Sequence, residues 1–308
     1  MRRLHDVDLK LLRTFKAIVE AGGLSGAQAT LNSSQSTLST QLADLEKRLG
    51  FRLCQRGRGG FALTPQGQKL LDALEDFLAA ADHFQNEAAS ISGEMRGVLR
   101  LSVVDAMLCN AAWDLSTILR DFNARAKATL IEMSTASPSD MERLVAEGKR
   151  DIVIGPFFRR NAGLSYVPLF QEHHALFCAA THPLARSGPV QAATLRQHAF
   201  VARGYLHRYD VERVGHVEPA ALVDTMETQA LLIRSGRFIG YLPSHYAQTV
   251  DGLTRIETVE PVDYLSPIQL VHSTGASENI LIRSFLNRVA EHPLRLDGPA
   301  GQGPIRPF

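Results

Sequence analysis

Leu70, Leu74, Phe77, Ala81, Phe84, Ala88 and Ile91 follow one another at steps of four, three, four, three, four and three, and no glycine or proline interrupts residues 68–92. An apolar rhythm of seven sustained over this length predicts one helix from Thr64 to about Ser92, with Thr64 as N-cap and Pro65 at its first position. About 28 residues rising 1.5 Å each reach ~40 Å. A helix so long, with a single apolar stripe, cannot be buried inside a small domain. It divides the chain, and its stripe calls for a partner. The chain's own C-terminal part is one choice and a second copy is the other. The second copy is the better fit, because a two-fold pair would hold two N-terminal modules at a fixed separation.

Before that helix, Leu9, Leu12, Phe15 and Val19, joined by Leu11 and Ile18, predict an amphipathic helix from about Asp8 to Ala21, ended by Gly22-Gly23. Ser25 opens a short second helix carrying Ala27 and Leu31 inward, and Asn32-Ser33-Ser34 makes a polar break. Leu38, Leu42, Leu45 and Leu49 then define a third helix, capped by Ser33 or Ser34 and stopped by Gly50. Two short helices across a tight turn are the ingredients of a helix-turn-helix. The third helix turns Gln35, Ser36, Ser39, Thr40 and Ala43 outward, short side chains that let a backbone lie deep in a major groove. The plainer alternative is a solvated helix face.

Charge bears on that choice. The whole chain of 308 residues carries only +1, which by itself argues against a polyanionic partner. Residues 1–60, however, hold ten Lys and Arg against five acids, so they are +5 and the other 248 residues are −4. The basic part coincides with the helix-turn-helix pattern.

Phe51–Arg56 and Phe61–Thr64 are short alternating runs around Gly57-Arg58-Gly59-Gly60, which reads as a β-hairpin wing with Arg56 and Arg58 at its tip for phosphate or minor-groove contact. The same glycines partly match a dinucleotide fingerprint. No helix opens at the required place, so that reading is set aside. The module resembles the N-terminal domain of the LysR-type transcriptional regulators through Asp8-Leu9 to Phe15, Ala27, Leu31, Ser34-Gln35-Ser36-Thr37-Leu38-Ser39, Leu45-Glu46, Leu49-Gly50, Leu53, Arg56 and Leu63-Thr64-x-x-Gly67. Gln28 departs from the usual alanine, and Thr40 stands where many members carry a longer polar or basic side chain. The resemblance implies DNA contacts by Ser34, Gln35, Ser36, Thr37, Ser39, Thr40, Arg56 and Arg58, a dimerising linker helix, and a dimer or tetramer on double-stranded operator DNA. An activator of this kind would also meet RNA polymerase.

Beyond Ser92–Gly97, a plausible hinge, strands and helices alternate: Leu99–Val104, a helix with Trp113 to Phe122, Thr129–Met133, a helix Ser139–Glu147 and Asp151–Ile154. A second set comprises Ala175–Ala180, Ala199–Val201, a helix near Thr225–Ser235, Phe238–Leu242, Ile268–His272 and a closing helix with Phe285. The alternation predicts parallel β-α-β units, arranged as two α/β lobes with a ligand between them. The regulator family that the chain resembles has this form, so the expected fold class is α/β with an all-α-type winged helix-turn-helix at the N-terminus and, as the resemblance implies, a C-terminal two-lobed domain like the periplasmic binding proteins. The domains expected are 1–63 for DNA, 64–93 for dimerisation and 94–296 for the effector. Within the last, lobe 1 takes about 97–165 and 267–296 and lobe 2 about 166–266, with crossings near Gly163–Pro168 and Val262–Pro267. Residues 297–308, rich in Gly and Pro, read as a disordered tail.

By the register of the family, the cleft contacts would be Val104, Asp105, Thr135, Ser137, Arg203, Tyr205 and Thr225. Arg203 with the hydroxyls of Thr135, Ser137 and Thr225 suits a carboxylate or amide. Asp105 does not suit an anion. It either points away or takes an ammonium or hydroxyl group.

Enzyme chemistry finds little support in the sequence. His173, His174, Cys178 and His182 form the one His/Cys cluster worth testing, and an extended strand would spread it over about 27 Å, too far for one zinc. No nucleophile elbow, zincin helix or P-loop occurs. No cofactor or metal is expected. Cys54, Cys109 and Cys178 are odd in number and widely spaced, and neither a bilayer-spanning run nor a signal-peptide core is present, which together point to a cytoplasmic protein with no membrane partner. The expected function is a sequence-specific DNA-binding regulator modulated by a small molecule in the inter-lobe cleft. The alternative is a solute-binding or enzymatic α/β protein whose N-terminal helices only mediate oligomerisation.

Overall fold

The computed structural model describes residues 4–292 apart from 58–59, 93, 108–109, 111–112 and 216–217. The chain divides into two compact units, one ending at Ala81 and the other starting at Asp82.

In the first unit, α1 (Asp6–Glu20), α2 (Leu24–Leu31) and α3 (Gln35–Leu49) are followed by a hairpin of β1 (Cys54–Gly57) and β2 (Gly60–Leu63) and by α4 (Pro65–Ile91), whose later turns belong to the second unit. The His5 backbone N–H donates to the Asp8 carboxylate at 2.9 Å, closing the start of α1. Gly50, at φ +83°, closes α3 in a left-handed conformation that a side chain would strain. Phe15 and Ile18 of α1, Leu38, Leu42 and Leu45 of α3, Leu53, and Leu71 and Leu74 of α4 form one core. Each such side chain contributes about 1.5–3 kcal/mol on burial. Thr64 caps α4 as its spacing implied, its hydroxyl accepting from the Gly67 N–H at 2.9 Å and donating to the Arg52 carbonyl at 2.7 Å. Of the heptad positions, Leu74 is buried here, while Phe77, Phe84 and Ile91 are exposed at 42%, 73% and 88%.

The second unit runs β3 (Arg96–Val103), α5 (Leu115–Arg125), β4 (Ala128–Thr135), α6 (Pro138–Ala146), β5 (Ile152–Pro156), β6 (Leu164–Ala179), α7 (Ala192–Leu195), β7 (Ala199–Arg203), α8 (His207–Arg213), β8 (Ala221–Val223), α9 (Met226–Arg234), β9 (Phe238–Pro243), α10 (Ser244–Ala247), β10 (Leu253–Arg255), β11 (Tyr264–Ser273) and α11 (Ile280–Glu291). The strand order is β4-β3-β5-β11-β6-β9-β7-β8, with β10 added on β6. Parallel pairs β3–β4, β3–β5, β7–β8 and β7–β9 form the β-α-β parts.

The expected parallel units are joined by antiparallel strands, so the sheet as a whole is mixed. β6 and β11 are antiparallel to each other, and each is antiparallel to its further neighbours. The run expected over Ala175–Ala180 is the end of a strand of 16 residues. Pro168 hid its first half, because proline within a sheet demotes a run to an edge or a bulge. Here the ladder does shift register between Ile268 and Gln269, which face Phe170 and Pro168, so Leu169 is the extra residue.

One core, around Leu101, Phe122, Ile154, Ile268 and Phe285, lies on the side of β3, β5 and α11. Two more, around Phe200 and Tyr241 and around Val201 and Ile233, lie on the β7–β9 side. The middle of β6 and the start of β11 join the two lobes.

Candidate functional site

α2 and α3 meet across a break of three residues, where Asn32 adopts a left-handed φ of +45°. Ser34 is the N-cap of α3, and its hydroxyl accepts from the Thr37 N–H at 3.2 Å. The hydroxyls of Ser36 and Thr37 both lie 2.8 Å from it. Thr40 donates its hydroxyl back to the Ser36 carbonyl at 3.0 Å. Ser34, Gln35, Ser36, Thr37, Thr40 and Ala43 are exposed and Ser39 is half-buried, while Leu38 and Leu42 hold the opposite face in the core. Part of the hydroxyl set thus builds the helix start, and the exposed N-terminus of α3 adds backbone donors that favour an anion. Arg48 bonds Asp44 on α3 and the buried Asp8 on α1, both at 3.1 Å. Glu46 accepts from the N–H groups of Leu53 and Cys54, which ties the hairpin to α3. Lys10, Arg13, Lys47 and Arg52 are exposed cations of the same unit. The backbone of Arg56 lies in β1 opposite Phe61. Its side chain and all of Arg58 lie outside the described residues.

In the second unit, Val104 is buried at the end of β3, its N–H bonded to the Ile154 carbonyl. The half-buried Asp105 follows and reaches the other lobe, where its carboxylate accepts from the N–H of Met226, the first residue of α9. Burial pushes the Asp105 carboxyl above its ordinary range, against the lowering effects of its backbone hydrogen bonds and of Arg203. Ala106 has φ +62°, a conformation costing about 1–2 kcal/mol in a non-glycine residue. His245 Nε2 lies 3.4 Å from the Ala106 carbonyl oxygen and 3.8 Å from the Glu172 carboxylate. Phe158 and Tyr209 add an aromatic contact between the lobes, ring centres 5.9 Å apart.

Arg203 is 1% exposed and paired with the wholly buried Asp210 at 3.2 Å. The Tyr264 hydroxyl donates to Asp210 at 2.8 Å and also meets Arg203, and Arg203 lies over the Tyr205 ring at 5.6 Å. The His174 ring stacks flat on Tyr264, centres 4.8 Å apart, and its Nε2 bonds Glu172 at 2.8 Å. Burial holds His174 below the ordinary histidine range, so its ring is neutral and Nε2–H is the donor.

Two family models match the chain. One, described as the bacterial regulatory helix-turn-helix protein of the lysR family, covers residues 9–68, and the other, described as the LysR substrate binding domain, covers 92–293. The chain belongs to the LysR family of transcriptional regulators. It is 33% identical over 293 residues to the HTH-type transcriptional activator BauR of Pseudomonas aeruginosa, spanning 94% of this chain and 96% of that one. It is 30% identical to the transcriptional regulator MetR of Salmonella typhimurium, over 93% and 90% of the two chains. The crystal structure of CbnR, a LysR family transcriptional regulator, shares the fold at a TM-score of 0.66 and 19% identity, covering 92% of this chain and 98% of that one. CbnR has also been solved full-length with its target DNA, at the same TM-score and 18% identity.

As a LysR-type regulator the chain pairs a DNA-binding helix-turn-helix with an effector-binding domain, and it acts on operator DNA together with a small molecule and further copies of itself. No helix among its described residues is long and apolar enough to cross a membrane.

Among the cleft residues named from sequence, Asp105, Arg203 and Tyr205 come together. Thr225 caps α9, accepting from the Thr228 N–H at 3.2 Å beside the Met226 N–H that Asp105 holds. Ser137 caps α6 and also donates to Asp140 at 2.7 Å, and Thr135 is exposed at the end of β4. Among the described residues, the hydrogen bonds that build the Arg203 cluster do not include Thr135 or Ser137. Arg203 is committed to Asp210, so it supports the cleft wall from within instead of offering an open guanidinium. Glu172, His174, Asp210, His245 and Tyr264 join the site from positions that no motif marks; the one local signal is the i, i+2 pair Glu172/His174 on one strand face.

Proposed function

We propose that this LysR-type regulator reads an inverted repeat in promoter DNA with the N-terminal part of α3 and the hairpin, as a dimer or tetramer joined through α4, and that a small molecule in the inter-lobe cleft biases its state. The observation that carries the DNA half is the exposed polar start of α3, capped by Ser34 and tied by Glu46 to the hairpin, within a segment of charge +5. Gln35, Ser36, Ser39 and Thr40 face the base edges in this reading, and Arg56 and Arg58 meet the backbone or minor groove. Phe77, Phe84 and Ile91 form the seam between copies, which accounts for their exposure in a single chain. The protein works in the cytoplasm without a cofactor, performs no catalysis and, where it activates, contacts RNA polymerase.

The effector shifts a population between lobe arrangements, and its leverage is limited to its difference in affinity for the two states. Gel-shift titration on fragments of neighbouring promoters tests the reading. Site-selective binding should weaken steeply with salt, as counterion release requires. Binding that ignores both sequence and salt, or survives deletion of residues 1–63, would favour a solute-binding or enzymatic protein instead.

A further inference from the structure

The wall of the cleft carries more negative than positive fixed charge. Asp105, Glu172 and Asp210 supply three carboxylates against two guanidinium groups: Arg203, which Asp210 already occupies, and Arg213, which lies over the Tyr264 ring at 5.1 Å and donates to the Val262 and Asp263 carbonyls. Glu172 is 8% exposed, and it meets the neutral His174 at 2.8 Å and His245 at 3.8 Å. Among the described residues, the buried polar atoms without a hydrogen-bond partner include two beside this group, His174 Nδ1 and Ser266 Oγ.

The register explains why these belong together. Ser266 faces Glu172 across the β11–β6 ladder and Tyr264 faces His174, so all four side chains rise from one face of the sheet. Ser266 is 0% exposed. With His174 donating through Nε2, its Nδ1 is a lone-pair acceptor, and Ser266 adds an acceptor of its own. A buried polar atom left unpaired costs about 1–3 kcal/mol, so two such atoms beside the carboxylates of Asp105 and Glu172 mark a position that a ligand completes.

The needed group is rich in donors, has no acceptor and is cationic. A carboxylate would add to the charge excess. A hydroxyl would leave it standing. An ammonium group supplies three donors and a positive charge.

We infer that the effector of this regulator is a small primary amine whose ammonium group sits between the carboxylates of Asp105 and Glu172, with Ser266 at its floor. The inference rests on the reading of the inter-lobe cleft as the effector site. Asp105 is spent on the Met226 N–H of the opposite lobe. An ammonium competes for that carboxylate, so occupancy and the contact between lobes are coupled, which is how the ligand changes the arrangement of the lobes. Other groups on the ligand, a carboxylate included, are left open by this geometry.

The test uses the full chain and three matched probe sets: linear primary amines of two to five carbons, carboxylates of the same lengths, and amino acids joining both groups. Calorimetry and melting curves read the binding. Amine-bearing probes should bind and raise the melting temperature, and carboxylates without nitrogen should not. Asp105→Asn and Glu172→Gln should each weaken amine binding at least tenfold. If the buried Glu172→Gln fails to fold, the half-exposed Asp105→Asn decides alone. Binding by carboxylates only, binding unchanged in Asp105→Asn, or silence from every amine-bearing probe overturns the proposal. Promoter binding by the unmodified chain is scored separately. Its presence beside a negative amine result removes only the amine, whereas its absence removes the functional reading itself.

Discussion

The Asp105 carboxylate, in the turn after β3, accepts a hydrogen bond from the backbone N–H of Met226 at the start of α9, so one side chain of the first lobe occupies the positive end of a helix in the second. A helix N-terminus in an inter-lobe cleft is where an anionic ligand group would be expected. Here the protein supplies its own anion.

Burial raises the Asp105 pKa, and the sign of the consequence follows. The folded chain takes up this proton more readily than the unfolded chain. The ionised carboxylate therefore costs stability above its raised folded pKa, and that cost disappears as the pH falls through it toward the ordinary value of about 3.9. Asp105→Asn keeps an acceptor for Met226 and carries no charge. It should melt higher than the parent at neutral pH, and the two curves should converge in acid. Paired melting scans across pH check this, and a parent more stable than the variant at neutral pH would contradict it.

Arg203 and Asp210 are both buried, and Tyr264 bonds each of them. Removing one partner strands the other charge, which costs about 3–5 kcal/mol. At about 2–4 °C per kcal/mol for a unit of 150–250 residues, Arg203→Met should lower the melting temperature by on the order of 10 °C. Replacing both, as Arg203→Met with Asp210→Leu, should recover much of that loss, since no isolated charge remains. If the double variant is no better than the sum of the singles, the cost lies in packing and not in the stranded charge.

The limits of the sequence can be seen at these same residues. The helices of the first unit were legible because Leu38, Leu42 and Leu45 repeat at helical steps and Gly50 has one structural use, and Ser34 and Thr64 cap as their spacing implied. The lobes were legible as alternating apolar runs. The antiparallel return through β6 and β11 was not, because strand direction leaves no local pattern and Pro168 broke a run whose bulge exists only in the paired sheet. The Arg203–Asp210–Tyr264 cluster joins positions up to 61 residues apart, and no spacing rule brings them together. Arg203 looked like an open anion receptor for that reason.

Gly97 illustrates a constraint of the second kind. Asn86 Nδ2 donates to the Val98 carbonyl at 2.9 Å, and the Val98 N–H donates to Asn86 Oδ1 at 3.2 Å, which fixes the last turns of α4 to the start of β3. A Cβ on Gly97 would fall 2.0 Å from that Oδ1, and the residue sits at φ +130°. Gly97→Ala should therefore cost about 2–4 kcal/mol, from the strained backbone and the broken pair of hydrogen bonds. Asn86→Ala removes the same pair, so the double variant should lose less than the sum. Urea melts of the four proteins form the cycle, and strict additivity would show that Asn86 and Gly97 act separately.

The start of α3 separates stability from recognition. Ser34 caps the helix by accepting from Thr37, so Ser34→Ala should lower stability by about 1 kcal/mol. It should lower operator affinity as well, because the cap orients the first turn. Gln35 is exposed and makes no such cap. Gln35→Ala should leave the melting temperature unchanged, yet it should cost about 1–3 kcal/mol of discrimination at one base pair if its amide reads an adenine edge. An exposed cation such as Lys47 should behave in a third way: Lys47→Ala weakens all sequences alike and reduces the salt slope by about one if it meets a phosphate. Gel shifts with the operator and a scrambled duplex at several salt concentrations, set beside melting curves, distinguish the three. A Gln35→Ala protein with unaltered discrimination at every position would remove Gln35 from the reading face and leave base selection to Ser36, Ser39 and Thr40.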